Sequence, residues 1–105
     1  MENNKYKKFV IYKIIQKSDP SICYIGSSTN FKRRKAQHIK NTKNKVSKAY
    51  RYPLYQYIRQ SGGWDNFEIS IYLEYPCNSK IEGLQKEKEI IELLNSPLNS
   101  IKPIK

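Results

Sequence analysis

Apolar residues recur along this chain in two periods, and the switches between them outline its elements. Residues 8–15, Lys-Phe-Val-Ile-Tyr-Lys-Ile-Ile, and the stretch Ile22 to Gly26 are rich in β-branched and aromatic types. Lys17-Ser-Asp-Pro-Ser21 between them is turn chemistry, so a β-hairpin is predicted. Thr29 or Asn30 can cap a helix from Phe31 to Lys40, and the polar, basic run Asn41 to Lys48 then reads as a surface loop that a ligand can reach. Pro53 to Gln60 reads as a second helix, stopped by Ser61-Gly62-Gly63. Phe67, Ile69, Ile71 and Leu73 alternate with Glu68, Ser70, Tyr72 and Glu74, the period of a half-buried strand. A third helix runs from Asn78 or Ser79 to Leu94, with apolar residues at 81, 84, 90, 91, 93 and 94, and ends near Asn95-Ser-Pro97. The order β-β-α-α-β-α predicts an α+β fold, a small three-stranded, mainly antiparallel sheet flanked by helices, because each strand has an apolar face to bury.

At 105 residues the chain has room for one domain, 1–105, with a core spanning about 8–101. No apolar run reaches the ~18 residues of a membrane span, and the start MENNKYKK lacks a signal-peptide core, so an intracellular location, cytoplasm or nucleus, is expected. Cys23 and Cys77 are too few for a disulfide framework and are expected to remain thiols. Charge changes the picture most. Twenty Lys and Arg against nine Asp and Glu give a net +11, and residues 1–59 carry +13 while residues 60–105 carry −2. Solubility needs a net charge of only about 2 to 8, so an excess concentrated in one half points to a polyanionic partner, nucleic acid first. The predominance of Lys over Arg, with abundant Ile and Asn, suits an AT-rich genome such as that of many phages and large DNA viruses.

Three clusters stand out against their own patterns. On the third helix, at about 100° per residue, Glu87 falls inside the stripe of Ile90, Leu94, Ile91 and Leu84, whereas Glu82, Glu89 and Glu92 fall on the opposite side. An ionised carboxylate in such a stripe costs several kcal/mol unless an ion pair, a donor or a metal compensates it, so either a structural pair or a functional site is implied. On the first helix Phe31, Arg34 and His38 share one face, while Arg33, Ala36 and Lys40 point away; Arg34 is the inward base expected to pair with Glu87. In the hairpin, Val10, Tyr12 and Ile14 share one face and Ile22, Tyr24 and Gly26 share one on the neighbouring strand, which brings two tyrosines close. Gly26 before a capped helix either ends its strand or admits a phosphate to the backbone.

These residues resemble the GIY-YIG endonuclease family. Val10-Ile-Tyr12, eleven residues, then Tyr24-Ile-Gly26 is similar to the name-giving pair of motifs, and Ser27 to His38 is similar to the helix that follows. Leu54 to Phe67, Glu87-x-x-Ile-Ile and Ser96-Pro-Leu-Asn99 extend the likeness in the right order over roughly residues 9–101. The resemblance implies that Tyr12 and Tyr24 lie in an active site, Arg34 binds the scissile phosphate, Glu87 holds a single divalent ion (Mg²⁺ or Mn²⁺), His38 is a site histidine and Asn99 supports the site. It further implies that Tyr12 takes the proton of the attacking water. With an unperturbed pKa of ~10, a tyrosine does so near neutrality only if neighbouring cations or the metal network lower its pKa or accept its proton, and Lys13 and the basic half are the expected contributors.

The expected activity is metal-dependent hydrolysis of DNA phosphodiesters, duplex or branched, one strand per active site, with Gly26, Lys13, Arg33, Lys35 and Lys40 as further nucleic-acid contacts. Two departures qualify the likeness. Val10 stands where the family usually has Gly and is expected to crowd the strand, and Ala49, Tyr50 and Tyr52 stand where some members carry a second histidine. Family members with separate DNA-recognition domains append them beyond this length, so specificity is expected from this domain, a protein partner or a dimer. The alternatives are a non-catalytic nucleic-acid-binding module with the same fold and a small basic structural protein.

Overall fold

The structure, a computed structural model, describes residues 4–100. Strands β1 (Val10–Gln16), β2 (Asp19–Ser28) and β3 (Phe67–Glu74) form an antiparallel sheet in the order β2-β1-β3, so β1 is central and β2 and β3 are edges. Helices α1 (Phe31–Lys43) and α2 (Pro53–Gln60) cover one face, where Tyr12, Ile14, Leu54, Tyr55, Ile58, Phe67 and Ile69 pack together. Helix α3 (Lys80–Leu94) covers the other, over Phe9, Ile11, Ile25 and Ile90. Alternation along β1 feeds both: Tyr12 and Ile14 go one way, Ile11 the other, and burying each aliphatic side chain contributes roughly 1.5–3 kcal/mol. Among the described residues no helix is long and apolar enough to cross a membrane.

The α+β architecture agrees with the sequence pattern; four local readings are corrected. The hairpin turn is tighter than Lys17 to Ser21, with Asp19 already paired to Gln16 across a bulge. Pro20 is tolerated because β2 is an edge strand, where a missing N–H breaks no ladder. Helix α1, with Asn30 as its N-cap accepting from the Arg33 N–H, runs three residues past Lys40 into the expected loop, and a short 3-10 turn at Lys48–Arg51 follows that loop. In β3 a register shift leaves Tyr72 unpaired between the Leu73–Ile11 and Ile71–Tyr12 pairs. The strand thus changes faces: Phe67 and Ile69 face α2, Leu73 joins the α3 side, and Ile71, expected inside, is exposed.

The fourth correction concerns α3. Its buried line is Gly83 and Ile90, with Glu87 half-buried between them and Ile91 half-buried beside Ile90, whereas Ile81, Leu84, Leu93 and Leu94 are exposed. Gly83 sets this rotation, since a Cβ there would overlap the Phe9 ring. The helix therefore presents its smallest residue to the sheet rather than its most apolar stripe. Ser79 caps its start and Asn95, left-handed at φ 48°, ends it.

Candidate active site

A cleft of about 500 Å³ opens where β1, β2, α1, α2 and α3 converge, and it gathers Tyr12, Tyr24, Gly26, Arg34, His38, Glu87 and Asn99. At its floor the Tyr12 hydroxyl lies 2.6 Å from His38 Nε2, and His38 Nδ1 lies 2.7 Å from the Tyr55 hydroxyl. Pairing within the hairpin places Gly26 opposite Tyr12 and Ile14 opposite Tyr24, so the two tyrosines are diagonal neighbours. Both rings meet the His38 ring edge-on, with centroids 5.5 and 6.1 Å away. Gly26 is required for this arrangement: a Cβ there would overlap the Tyr12 ring and hydroxyl, so the missing side chain makes room for the tyrosine.

Burial dominates the electrostatics. It pushes the Tyr12 phenol far above its ordinary range, with Tyr24, Tyr55 and Glu87 adding to the rise and Arg34 opposing it. The Tyr24 phenol is raised for the same first reason. His38 moves the other way, down to about 4, because burial and the Arg34 charge both disfavour the imidazolium. Arg34 is thus a cation that lowers the Tyr12 pKa, as expected, but burial outweighs it. Lys13 is no help, since it lies on the opposite face of the sheet with its ammonium 5.6 Å from the Tyr72 ring centre. A neutral His38 has one acceptor nitrogen and one donor, so a proton accepted from Tyr12 at Nε2 leaves Nδ1–H to donate to Tyr55.

Arg34 and Glu87 line the cleft from opposite helices, yet the expected ion pair between them is absent; among the described residues Lys86–Glu89 is the salt bridge formed. Arg34 is exposed, and among the described residues its guanidinium donates to Gln37, at 3.5 Å. Glu87 is instead held by Ser27, whose hydroxyl donates to Oε1. Asn99 acts on the scaffold: its amide donates to the Ile25 carbonyl at 2.8 Å and its oxygen accepts the Ile25 N–H at 2.7 Å, with Ser96 Oγ at 2.6 Å. That is the pattern of a neighbouring strand, supplied by one side chain to the free edge of β2 between Tyr24 and Gly26.

Of the further candidates, Arg33 lines a groove beside the cleft, while Lys35 and Lys40 sit exposed on α1 outside it. Val10 is buried in β1 and does not line the cleft, so the expected crowding does not reach the site. Sequence reasoning missed Ser27, Tyr52 and Tyr55. Tyr55 interrupts the apolar run of Leu54 and Ile58 with a hydroxyl, the same kind of signal that singled out Glu87. Tyr52 stacks on it with centroids 6.1 Å apart and planes 10° from parallel. Arg59 holds their segment by donating to the Thr42 and Tyr50 carbonyls, at 2.9 and 2.7 Å, and lies 3.7 Å over the Tyr50 ring.

As for a metal, no group of three or more His, Cys, Asp or Glu clusters among the described residues, and Glu87 is the acid that lines the cleft. One carboxylate facing an open cleft suits Mg²⁺ or Mn²⁺, since a hard ion of this kind keeps several waters and needs few protein ligands when a phosphate supplies others. The family model of the GIY-YIG catalytic domain matches residues 8–102. The chain belongs to the GIY-YIG family. Its structure is similar to that of the catalytic domain of the homing endonuclease I-TevI, with a TM-score of 0.71 and 27% identity, covering 89% of this chain and 95% of that one. No curated protein matches significantly. Membership in this family makes the chain a nuclease.

Proposed function

We propose that this GIY-YIG domain is a divalent-metal-dependent DNA endonuclease that hydrolyses one strand per visit. The observation that carries the reading is the 2.6 Å contact between the Tyr12 hydroxyl and His38 Nε2 at the floor of a cleft that also holds Arg34 and Glu87. A buried phenol does not wait as a phenolate at neutral pH, so Tyr12 acts as base only by passing its own proton on. Neutral His38 is placed to receive it while Tyr12 takes one from the attacking water, once the substrate phosphate offsets the Arg34 charge that helps to disfavour the imidazolium. Tyr55 fixes the imidazole from its other nitrogen. Arg34, exposed and without an ion-pair partner among the described residues, meets the charge that develops on the phosphoryl oxygens.

Glu87, oriented by Ser27, would hold the ion. A divalent ion there supplies Lewis-acid stabilisation of the phosphoryl group and the leaving oxygen. Tyr24 flanks His38 and limits water access to the relay, and Asn99 keeps the Tyr24–Gly26 segment in register. One site has one nucleophile, so nicking is the unit event, and a double-strand break needs a dimer or rebinding. The test incubates supercoiled plasmid with the protein and Mg²⁺ or Mn²⁺, beside a chelated control and Glu87→Gln. Relaxed plasmid that disappears in both controls supports the reading. Plasmid left intact but shifted on a gel would replace it with the non-catalytic binding module.

A further inference from the structure

The active-site cleft does not end at Arg34. Ser27, Arg34 and Leu84 are shared with a second hollow of about 270 Å³, which reaches Lys80 and Lys5. Lys5 and Thr29 are shared in turn with a third of about 460 Å³, rimmed by Lys7, Lys8 and Arg33. The three form one trench, from the catalytic floor to the start of α1 and the 3-10 turn Lys5–Lys8. Past Glu87 none of the described residues that line it is acidic. Lys5, Lys7, Lys8, Arg33 and Lys80 are exposed or half-exposed, and no carboxylate pairs with them among the described residues. Cations crowded along one groove repel one another, and a chain of phosphates relieves that repulsion while releasing its counterions.

Building on the nuclease reading, we propose that the DNA backbone flanking the scissile phosphate on one side lies in this trench. Its phosphates pass Arg34, then Lys80 and Lys5, then the rim of Lys7, Lys8 and Arg33. The trench leaves the cleft in one direction, so the footprint is asymmetric about the cut. It is lined mainly by charge and small polar groups rather than by stacking platforms, so it holds backbone and reads no bases. The turn Lys5–Lys8, outside the sheet and the three helices, thereby becomes part of the substrate track.

Binding of a labelled linear duplex, measured in chelator across a salt series, tests this without cleavage. Lys5→Ala/Lys7→Ala/Lys8→Ala removes three charges from the trench; Lys17→Ala/Lys43→Ala/Lys88→Ala removes three charges that line neither trench nor cleft. The trench variant is expected to reduce the slope of log affinity against log salt by about 2 to 3, and the control by less than about 1. With Mg²⁺, the trench variant is expected to raise KM roughly tenfold at unchanged kcat. Shortening the duplex on one side of the cut is expected to reproduce that loss in the wild type, and shortening the other side is not. Equal slopes for the two variants, or a symmetric length requirement, would overturn the trench. Failure of the wild type to cut plasmid at all would count against the nuclease reading, while the slope comparison would still decide, on its own, whether the trench carries DNA.

Discussion

Gly26 and Gly83 each seat an aromatic ring against the sheet, and the two sites differ in one oxygen atom. On the α1/α2 side a Cβ at Gly26 would strike the Tyr12 ring and hydroxyl; on the α3 side a Cβ at Gly83 would strike the Phe9 ring. Phe9 packs with Ile11, Ile25, Cys77 and Ile90, and nothing in that cluster needs a hydrogen-bond partner other than the Cys77 thiol, which donates to the Ser79 carbonyl at 3.5 Å. Tyr12 sits in an equally buried place, but its hydroxyl, the His38 imidazole and the Tyr55 hydroxyl satisfy one another in a row. Leaving any one of these without a partner costs about 1–3 kcal/mol, so the row is held as a unit. On the proposed chemistry, this small sheet uses one face for cohesion and the other for a proton path, and the same device, a glycine under a ring, serves both.

Breaking the comparison should therefore give different signatures on the two faces. The largest effect belongs to the reactive side: Arg34→Ala should lower kcat/KM by about a hundred- to a thousandfold while the melting temperature stays unchanged, because the side chain is exposed. Steady-state plasmid nicking with parallel thermal melts checks both halves. Gly26→Ala should reduce the cleavage rate about tenfold or more and also lower the melting temperature, since the added methyl displaces the Tyr12 hydroxyl from His38.

Gly83→Ala is the matched change on the cohesive side. Overpacking against Phe9 costs about 1–3 kcal/mol, offset in part by the roughly 1 kcal/mol that alanine gains in helix propensity. A melting temperature lower by about 4–8 °C is expected, with the single-turnover rate at low temperature retained. A slower chemical step in that variant would mean that the faces are not separable.

The remaining effect is a pH dependence of stability. His38 has an ordinary pKa of 6.5 in the unfolded chain and about 4 in place, so the unfolded state binds the proton more tightly. The contribution of neutral His38 is fully present above pH 6.5 and is lost as pH falls toward about 4, on the order of 3 kcal/mol at most. Denaturant melts of wild type and His38→Gln across that window should converge at the acid end. Parallel curves would mean that His38 is not buried in its neutral form.

Much of this was legible from residue patterns because the relevant signals are local. The order of elements, the boundaries of α2 and the Asn30 cap rest on turn and cap chemistry that depends on a few neighbouring residues. Glu87 showed itself as a charge out of place on a helix, and Tyr12, Gly26 and Tyr24 through strand period. What the chain did not reveal depends on how elements meet. The Tyr72 bulge exists only against β1, and the rotation of α3 is decided by Gly83 meeting Phe9, two residues 74 positions apart. The partner of Glu87 was misjudged for the same reason. Helix geometry shows that an acid faces inward but not what faces it, and Ser27 stands where Arg34 was expected.

The proposed chemistry turns on the Tyr12 proton. Tyr12→Phe keeps the ring over Gly26 and removes only the hydroxyl that meets His38 at 2.6 Å, so single-turnover cleavage of plasmid by this variant under saturating Mg²⁺ isolates the relay from the packing. A rate reduced by about a hundredfold or more, with folding and duplex affinity retained, is the predicted result. Cleavage at the wild-type rate would show that the water loses its proton elsewhere, and the two faces of the sheet would then differ in composition but not in purpose.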